Sequence, residues 1–325
     1  MRPVTDWLLG PSQPAVRYLA LRDLMEGTSQ GDLEEAKAAI SDRGWAADLL
    51  AKQLPNGHWL DKEQDLYLPK YLSTNWVLLA LSDLGLTREE PRVAKACELW
   101  MDEYAREDGG FDTPGAKSSE HCLAGNTARG LIKFGYVDEP RVRSALDYLV
   151  STQKEDGGWH CFPSKRGTID AWEGLSAFAA YPRQKWTRGM KASVERGCEF
   201  FLERRMFRQG DRYEPWFRLH FPYHYYYDLL VGLDFVTALG YADDKRLRPA
   251  IQLLKKRREG GRWVLDAAHP DLDDRGKFPS WWKANKKKFH PFALERVGSP
   301  SKMVTLRALT VLRRVGEFTA SQDGK

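Results

Sequence analysis

The chain has 325 residues, with 50 Lys and Arg against 45 Asp and Glu and a net charge of +5. That near balance argues against a nucleic-acid partner, and the basic runs Lys255-Lys256-Arg257-Arg258 and Lys283 with Lys286-Lys287-Lys288 read as solvated faces. Four cysteines, no leader-like start and no run approaching the roughly 20 apolar residues of a membrane span lead to the expectation of a reduced, cytoplasmic protein without a membrane span.

In chain order, an apolar helix is predicted over Pro14–Met25 and a charged amphipathic one over Leu33–Gln53. After the turn Asn56-Gly57-His58-Trp59 come an apolar helix over Leu72–Leu84 and an amphipathic one over Arg92–Arg106. Asp108-Gly109-Gly110-Phe111 then leads to an apolar helix over Cys122–Phe134 and an amphipathic one over Arg141–Lys154. Asp156-Gly157-Gly158-Trp159 precedes the apolar Thr168–Tyr181 and the amphipathic Met190–Arg208. The degenerate turn Asp211-Arg212-Tyr213 precedes the apolar Tyr225–Leu239 and the amphipathic Lys245–Arg258. Gly260-Gly261-Arg262-Trp263 precedes the last apolar helix, Pro300–Val315. Glu90-Pro91, Asp138-Glu139-Pro140 and Ser299-Pro300 read as helix starts, with proline near the first turn and acid or a serine cap before it.

The turn aromatics Trp59, Phe111, Trp159 and Trp263 stand 52, 48 and 104 residues apart, with Tyr213 inside the double gap. A period of this size signals stacked or closed repeats. Apolar and amphipathic helices alternate about six times, and helices apolar on most sides are buried ones. The expected fold is therefore all-α, an α/α toroid: a double ring with apolar helices inside and the glycine turns at one end. One toroid domain over residues 1–325 is expected, with a lid over 209–223 and a long insertion over 264–298, since long connections in compact domains are often lids or partner surfaces.

The segments Gln53-Leu54-Pro55-Asn56-Gly57-His58-Trp59 and Gln153-Lys154-Glu155-Asp156-Gly157-Gly158-Trp159 resemble the glutamine–tryptophan repeats of squalene and terpene cyclases and the repeats of protein prenyltransferase β-subunits. The resemblance spans nearly the whole chain and is greatest to single-toroid bacterial proteins described only as prenyltransferase- or cyclase-like. It implies the toroid and leaves the chemistry open. Protein prenyltransferases hold zinc with Asp, Cys and His at the toroid mouth, the aspartate and cysteine close together on one segment; no Asp-x-Cys occurs here. Asp271-Leu272-Asp273-Asp274 matches the Asp-x-Asp-Asp with which class II cyclases protonate an alkene, but Arg275-Gly276-Lys277-Phe278-Pro279 follows it and cannot continue an apolar helix, so it reads as an acidic loop.

Chemically capable residues recur where the inner helices begin. His121, Cys122, His160, Cys161, Asp170, Glu173, His224 and Asp228 form the candidate acid–base set, drawn from different repeats at equivalent places. His224 and Asp228, four apart on a predicted helix, share a face, and a carboxylate beside an imidazole fixes its tautomer. Trp76, Trp159, Trp172, Arg218, Tyr223, Tyr226 and Lys302 are the candidate substrate-binding residues, and the block Trp216, Phe217, Phe221, Tyr223, Tyr225, Tyr226, Tyr227 suits a cation or a flat apolar ligand. Taken singly, each of these histidines and cysteines reads equally as packing. No cofactor is expected, the alternative being zinc on Cys122, Cys161 and His224. The foremost expectation is an enzyme acting on a small apolar, isoprenoid-like or aromatic ligand by hydration, dehydration or isomerisation, a lyase or isomerase ahead of a prenyltransferase or cyclase. The alternatives are a carbocation transferase or cyclase, and a non-catalytic lipid- or protein-binding toroid, which a tightly filled ring centre would favour. Oligomeric state is not readable from the sequence.

Overall fold

A computed structural model of the protein describes residues 3–60, 66–68, 70–161, 164–224, 226–268 and 294–322. Its helices are α1 Val4–Leu8, α2 Pro14–Asp23, α3 Gln30–Ala38, α4 Trp45–Leu50, α5 Thr74–Asp83, α6 Pro91–Tyr104, α7 His121–Lys133, α8 Pro140–Thr152, α9 Glu173–Ala180, α10 Arg188–Glu203, α11 Leu229–Val236, α12 Arg248–Lys256 and α13 Lys302–Arg314. Among the described residues strand pairing is limited to isolated bridges, and the fold is the all-α double ring expected of an α/α toroid. Asp271-Leu272-Asp273-Asp274, Lys283, Lys286 to Lys288, Tyr225 and most of the 264–298 insertion lie outside the described residues.

The glycine turns explain the ring. In each, the glycine two places before the aromatic has positive φ: Gly57 +95°, Gly109 +89°, Gly157 +84° and Gly261 +85°. The turn closes when the residue five before the aromatic donates to the residue just before it, as in Leu54 N–H to His58 O (2.7 Å), Arg106 N–H to Gly110 O (3.1 Å) and Lys154 N–H to Gly158 O (2.9 Å). The indole of each turn tryptophan then reaches back to the preceding outer helix: Trp59 to Leu49 O (2.7 Å), Trp159 to Leu149 O (2.9 Å) and Trp263 to Leu254 O (2.8 Å). Phe111 is equally buried in its repeat. Tyr213 does not join the series: its side chain is about half exposed, because Asp211-Arg212 lacks the paired glycines that would turn it inward.

Glutamine supplies the link between repeats. Gln53 Nε2 donates to Gly57 O (3.0 Å) and to Arg92 O at the start of α6 (2.9 Å). Gln153 Nε2 repeats the pattern with Gly157 O (2.8 Å) and Ser193 O in α10 (2.8 Å). Each turn is thereby tied to the next outer helix.

The inner ring is α2, α5, α7, α9, α11 and α13, with α5 buried along its whole length. It closes where Tyr18 of α2 packs on Gly85, just past α5. The tightest crossing is α7 on α9: a Cβ at Gly125 would meet the Glu173 carbonyl carbon at 2.6 Å, so only glycine lets the backbones approach this closely. Outer α6 and α8 start at Glu-Pro as expected, the glutamate accepting from the N–H two residues on. Several expected bounds shift. The long Leu33–Gln53 helix breaks into α3 and α4 at Gly44, whose φ is +79°. The last inner helix starts from Ser301, whose hydroxyl accepts Val304 N–H at 3.0 Å, rather than from Ser299.

Gly157→Ala tests this account of the turn. The added Cβ would lie 2.4 Å from Arg196 O, at a φ of +84°. Gly115, at φ +82°, has open space around it. Positive-φ strain costs about 1–3 kcal/mol; urea unfolding is therefore expected to show Gly157→Ala destabilised beyond that range and Gly115→Ala within it. Equal losses would remove the clash from the explanation.

Candidate functional site

The starts of α5, α7 and α9 and the segments before them surround a cavity of about 550 Å³ at the turn end of the ring. Its aromatic wall is Tyr67, Trp76, Tyr213, Trp216, Tyr226 and Tyr227. Its polar groups include Glu120, Cys122, His160, Cys161, Asp170 and Glu173, from the turns and inner-helix starts of two successive repeats.

Two thiols form the centre of the polar wall. Cys161 Sγ lies 3.5 Å from His121 Nε2, and Cys122 Sγ lies 3.5 Å from Glu120 Oε2. The donor atoms of Glu120, Cys122 and Cys161 all lie within 4.8 Å of one another. Hydrogen bonds from Cys122 and then His121 hold the Cys161 thiol well below its usual range. Cys122 is raised, first because its hydrogen bond to Cys161 holds its proton and then by burial. Within the pair, negative charge is favoured on Cys161 and the proton on Cys122. Both remaining cysteines, Cys97 and Cys198, are buried in outer helices, where burial pushes their thiols up.

The carboxyls behave differently from surface acids. Glu173 is 1% exposed, and its Oε2 has no hydrogen-bond partner. Burial, followed by the nearby Cys161 charge, raises its carboxyl well above the usual range. Burial thus favours its protonated form. Asp170 accepts from Trp216 Nε1 at 2.6 Å and is also raised by burial.

The ring centre below this cavity is filled by the chain itself. Asn126 Nδ2 donates to His224 O (2.7 Å) and Arg129 Nη2 donates to Tyr223 O (2.8 Å). His224 stacks on Tyr71 with ring centroids 5.2 Å apart, meets Trp76 edge-on and lies 3.2 Å from Trp76 O through Nε2. These contacts correct the expected His224–Asp228 pair. Asp228 precedes the helix rather than lying on its face, since α11 begins only at Leu229. Asp228 is its N-cap: Oδ1 accepts Val231 N–H (2.8 Å), and Oδ2 lies 2.6 Å from His220 Nδ1 and accepts His220 N–H (3.0 Å). His220 is the partner that sequence reasoning missed; an imidazole eight residues before a capping aspartate leaves no periodic signal.

Several other expected residues stand outside this cavity. Trp159 is a packing residue of its turn, with no exposed surface. Trp172 and Tyr223 line a second cavity at the opposite end of the ring. Lys302 donates to Trp7 O (2.5 Å), and Arg218 Nη2 to Asp266 O (3.2 Å). Trp76 and Tyr226 do line the turn-end cavity, as do Cys122, His160, Cys161, Asp170 and Glu173. His121 stands behind them on Cys161. The expected zinc set of Cys122, Cys161 and His224 is also corrected, since His224 is held in the plug; Glu120 takes its place beside the two thiols. Its signal was present in the sequence as Glu120-His121-Cys122, a carboxylate two residues before a cysteine at an inner-helix start.

No family model matches the chain. By sequence it is similar to the squalene–hopene cyclase of Bradyrhizobium diazoefficiens, 29% identical over 139 residues, which is 39% of this chain and 20% of the cyclase. The match thus spans about a fifth of that relative's length. Among solved structures it is similar to the type II terpene cyclase MstE from Scytonema, at 16% identity, covering 94% of this chain and 89% of that one with a TM-score of 0.48. The MstE complex with its substrate geranylgeranyl dihydroxybenzoate gives 16% identity, 94% and 88% coverage and a TM-score of 0.47. A protein from Actinoplanes gives 18%, 95% and 92%, and 0.47. The cyclase match corrects the expectation that places a lyase or isomerase ahead of a cyclase. Among the described residues no helix is long and apolar enough to cross a membrane.

Asp228→Ala tests the plug's anchor. It removes a helix cap and the acceptor of the buried His220 ring, and a buried donor left without its acceptor costs about 1–3 kcal/mol. Chemical denaturation is expected to show at least that loss, whereas Asp228→Asn, which keeps an acceptor for Val231 N–H, is expected to lose less.

Proposed function

We propose that this chain is an enzyme that cyclises or otherwise rearranges a small isoprenoid through a carbocation formed by proton transfer in the turn-end cavity. The observation that carries the reading is Glu173, a buried carboxyl whose Oε2 has no hydrogen-bond partner among the described residues and which lines an aromatic-walled cavity, where burial favours its protonated form. The resemblance to a squalene–hopene cyclase supports it, and a cavity of about 550 Å³ is within the size of small-molecule sites.

The chemistry follows from the groups present. Glu173 donates its proton to one carbon of an alkene, and the π electrons form the new C–H bond. The adjacent carbon becomes cationic, and a second alkene of the same molecule closes onto it. The faces of Trp76, Trp216, Tyr226 and Tyr227 stabilise the positive charge without supplying a strong nucleophile. Loss of a proton to a basic group of the wall ends the sequence, and His160 is the wall's imidazole. The filled ring centre limits the substrate to this end; it shortens the cavity without closing it.

Glu173→Gln is the direct test. Loss of a general acid costs about 10²–10⁴-fold in rate, so turnover of linear isoprenoid alcohols, followed by mass spectrometry of products, is expected to fall by that factor. The stability change runs the other way. The folded carboxyl is raised above its unfolded value, so its favourable contribution is complete below the unfolded pKa and is lost as pH rises toward the folded one. At neutral pH the glutamine variant is expected to melt no lower than wild type. Wild-type turnover is expected to decline as pH rises through the folded pKa. Unchanged turnover in Glu173→Gln, with cyclic product still formed, would exclude it as the acid.

A specific observation favours a second reading, metal-assisted prenyl transfer. A carboxylate and two sulfurs within 4.8 Å of one another fit a thiophilic divalent ion with a further position toward the cavity. Glu120, Cys122 and Cys161 would hold it, and it would supply Lewis-acid stabilisation of an acceptor thiolate. Under this reading, metal analysis and cobalt(II)–thiolate absorption are expected to show one ion per chain. Cys122→Ser and Cys161→Ser would each abolish the signal, and His224→Gln would leave it intact. A metal-free wild-type protein that also fails to take up cobalt rules this reading out and leaves the first standing.

A further inference from the structure

The second cavity, about 250 Å³, lies at the other end of the ring, where the inner helices finish. The main chain of Tyr223 and His224 separates it from the turn-end cavity: Asn126, which holds His224 O, lines one, and Arg129, which holds Tyr223 O, lines the other. Five cationic side chains line this end: Arg22, Arg129, Lys133, Arg307 and Arg314.

The carboxylates there do not balance them. Asp83 is shared by Arg129 (3.2 Å), Lys133 (2.6 Å) and Arg307 (3.6 Å). Asp234 is shared by Arg307 and Arg314, and Asp23 takes Arg22 at 2.6 Å. Among the described residues, five cations on three carboxylates leave two positive charges in excess. Helix C-termini favour cations, but that effect is worth only about 0.3–1 kcal/mol per charge and falls off within a turn. Lys133 is pushed down to about 8, first by burial and then by the charges of Arg307 and Arg129, against the pull of Asp83. Donor capacity is also left over. Arg314 bonds its partners through Nη1 and Arg22 through Nε and Nη2. Lys133 spends one of its three donors, on Asp83.

We infer that this end of the ring is a binding site for a small phosphate-class oxyanion, held by Lys133, Arg314 and Arg22 around the cavity at the C-termini of the inner helices. Such a ligand neutralises the excess charge and uses the spare donors in charge-assisted hydrogen bonds. The site is independent of the chemistry proposed for the turn-end cavity and stands or falls separately from it.

The probe is inorganic diphosphate, titrated calorimetrically into the full chain against sodium chloride of matched ionic strength, with inorganic phosphate as a second titrant. One site per chain is expected, with diphosphate tighter than phosphate. Loss of one charge-assisted bond is worth about tenfold in affinity, so Lys133→Gln and Arg314→Gln are each expected to weaken binding by about that factor. Arg314 is a third exposed and the less integral of the two, so it keeps the test open should Lys133→Gln melt early. Lys70→Gln, at the turn-end cavity, is expected to leave diphosphate affinity unchanged. Heat equal to the salt control, or affinity lost in Lys70→Gln and kept in Arg314→Gln, would overturn the assignment.

Discussion

Both ends of this ring depend on one buried guanidinium. Arg129 is 4% exposed, and taking such a charge out of water costs several kcal/mol unless its donors are met. Here Nη1 and Nη2 meet Asp83 Oδ1 (3.2 Å), Asn126 Oδ1 (3.1 Å) and Tyr223 O (2.8 Å), Nε alone has no partner among the described residues, and the group lies over the Trp172 ring at 5.3 Å. Those partners come from α5, α7, the plug segment and the residue before α9. Arg129 therefore fixes the plug across the ring and, by doing so, sets where each cavity stops. The Asp228–His220 pair fixes the far end of the same segment. A plug tied at both ends explains why the ring encloses two short cavities instead of one channel.

What the sequence made legible follows from whether a contact repeats. The indole-to-carbonyl bonds of Trp59, Trp159 and Trp263 recur with nearly constant spacing, so the periodic aromatics identified the turns and the ring. Gln53 and Gln153 were visible for the same reason. The plug was not visible, because it occurs once. Its bonds join residues 94 and 98 positions apart in the chain, and no local pattern encodes that pairing. Reading His224 and Asp228 as one helical face failed for a local reason. Asp228 spends its carboxylate on capping α11, so the helix begins only after it. Glu120-His121-Cys122 departs from the Asp-x-Cys pattern only in its acid, and glutamate offers the same donor.

The two cavities differ in character because the inner helices all run the same way. Their N-termini, carrying partial positive charge, gather at the turn end, and their C-termini gather at the other. The side chains follow this polarity. Two thiols and three carboxyls line the turn end beside a single ammonium, Lys70, and five cations line the far end beside two carboxylates, Asp23 and Asp234. Cys161 follows it: its hydrogen bonds from Cys122 and His121 favour the thiolate against the opposing effect of burial. Glu173 does not. It opens α9, where the helix end favours its ionised form by about 0.3–1 kcal/mol, yet burial keeps the proton on, since desolvating an unpaired carboxylate costs far more than the helix end returns. Charge on Cys161 acts in the same direction as burial on this carboxyl. A site that must deliver a proton at neutral pH needs a carboxyl held against the field of its own helix. In this fold two features supply that: a glycine at position 125, which brings α7 down onto the Glu173 backbone, and the absence of any donor on its second oxygen.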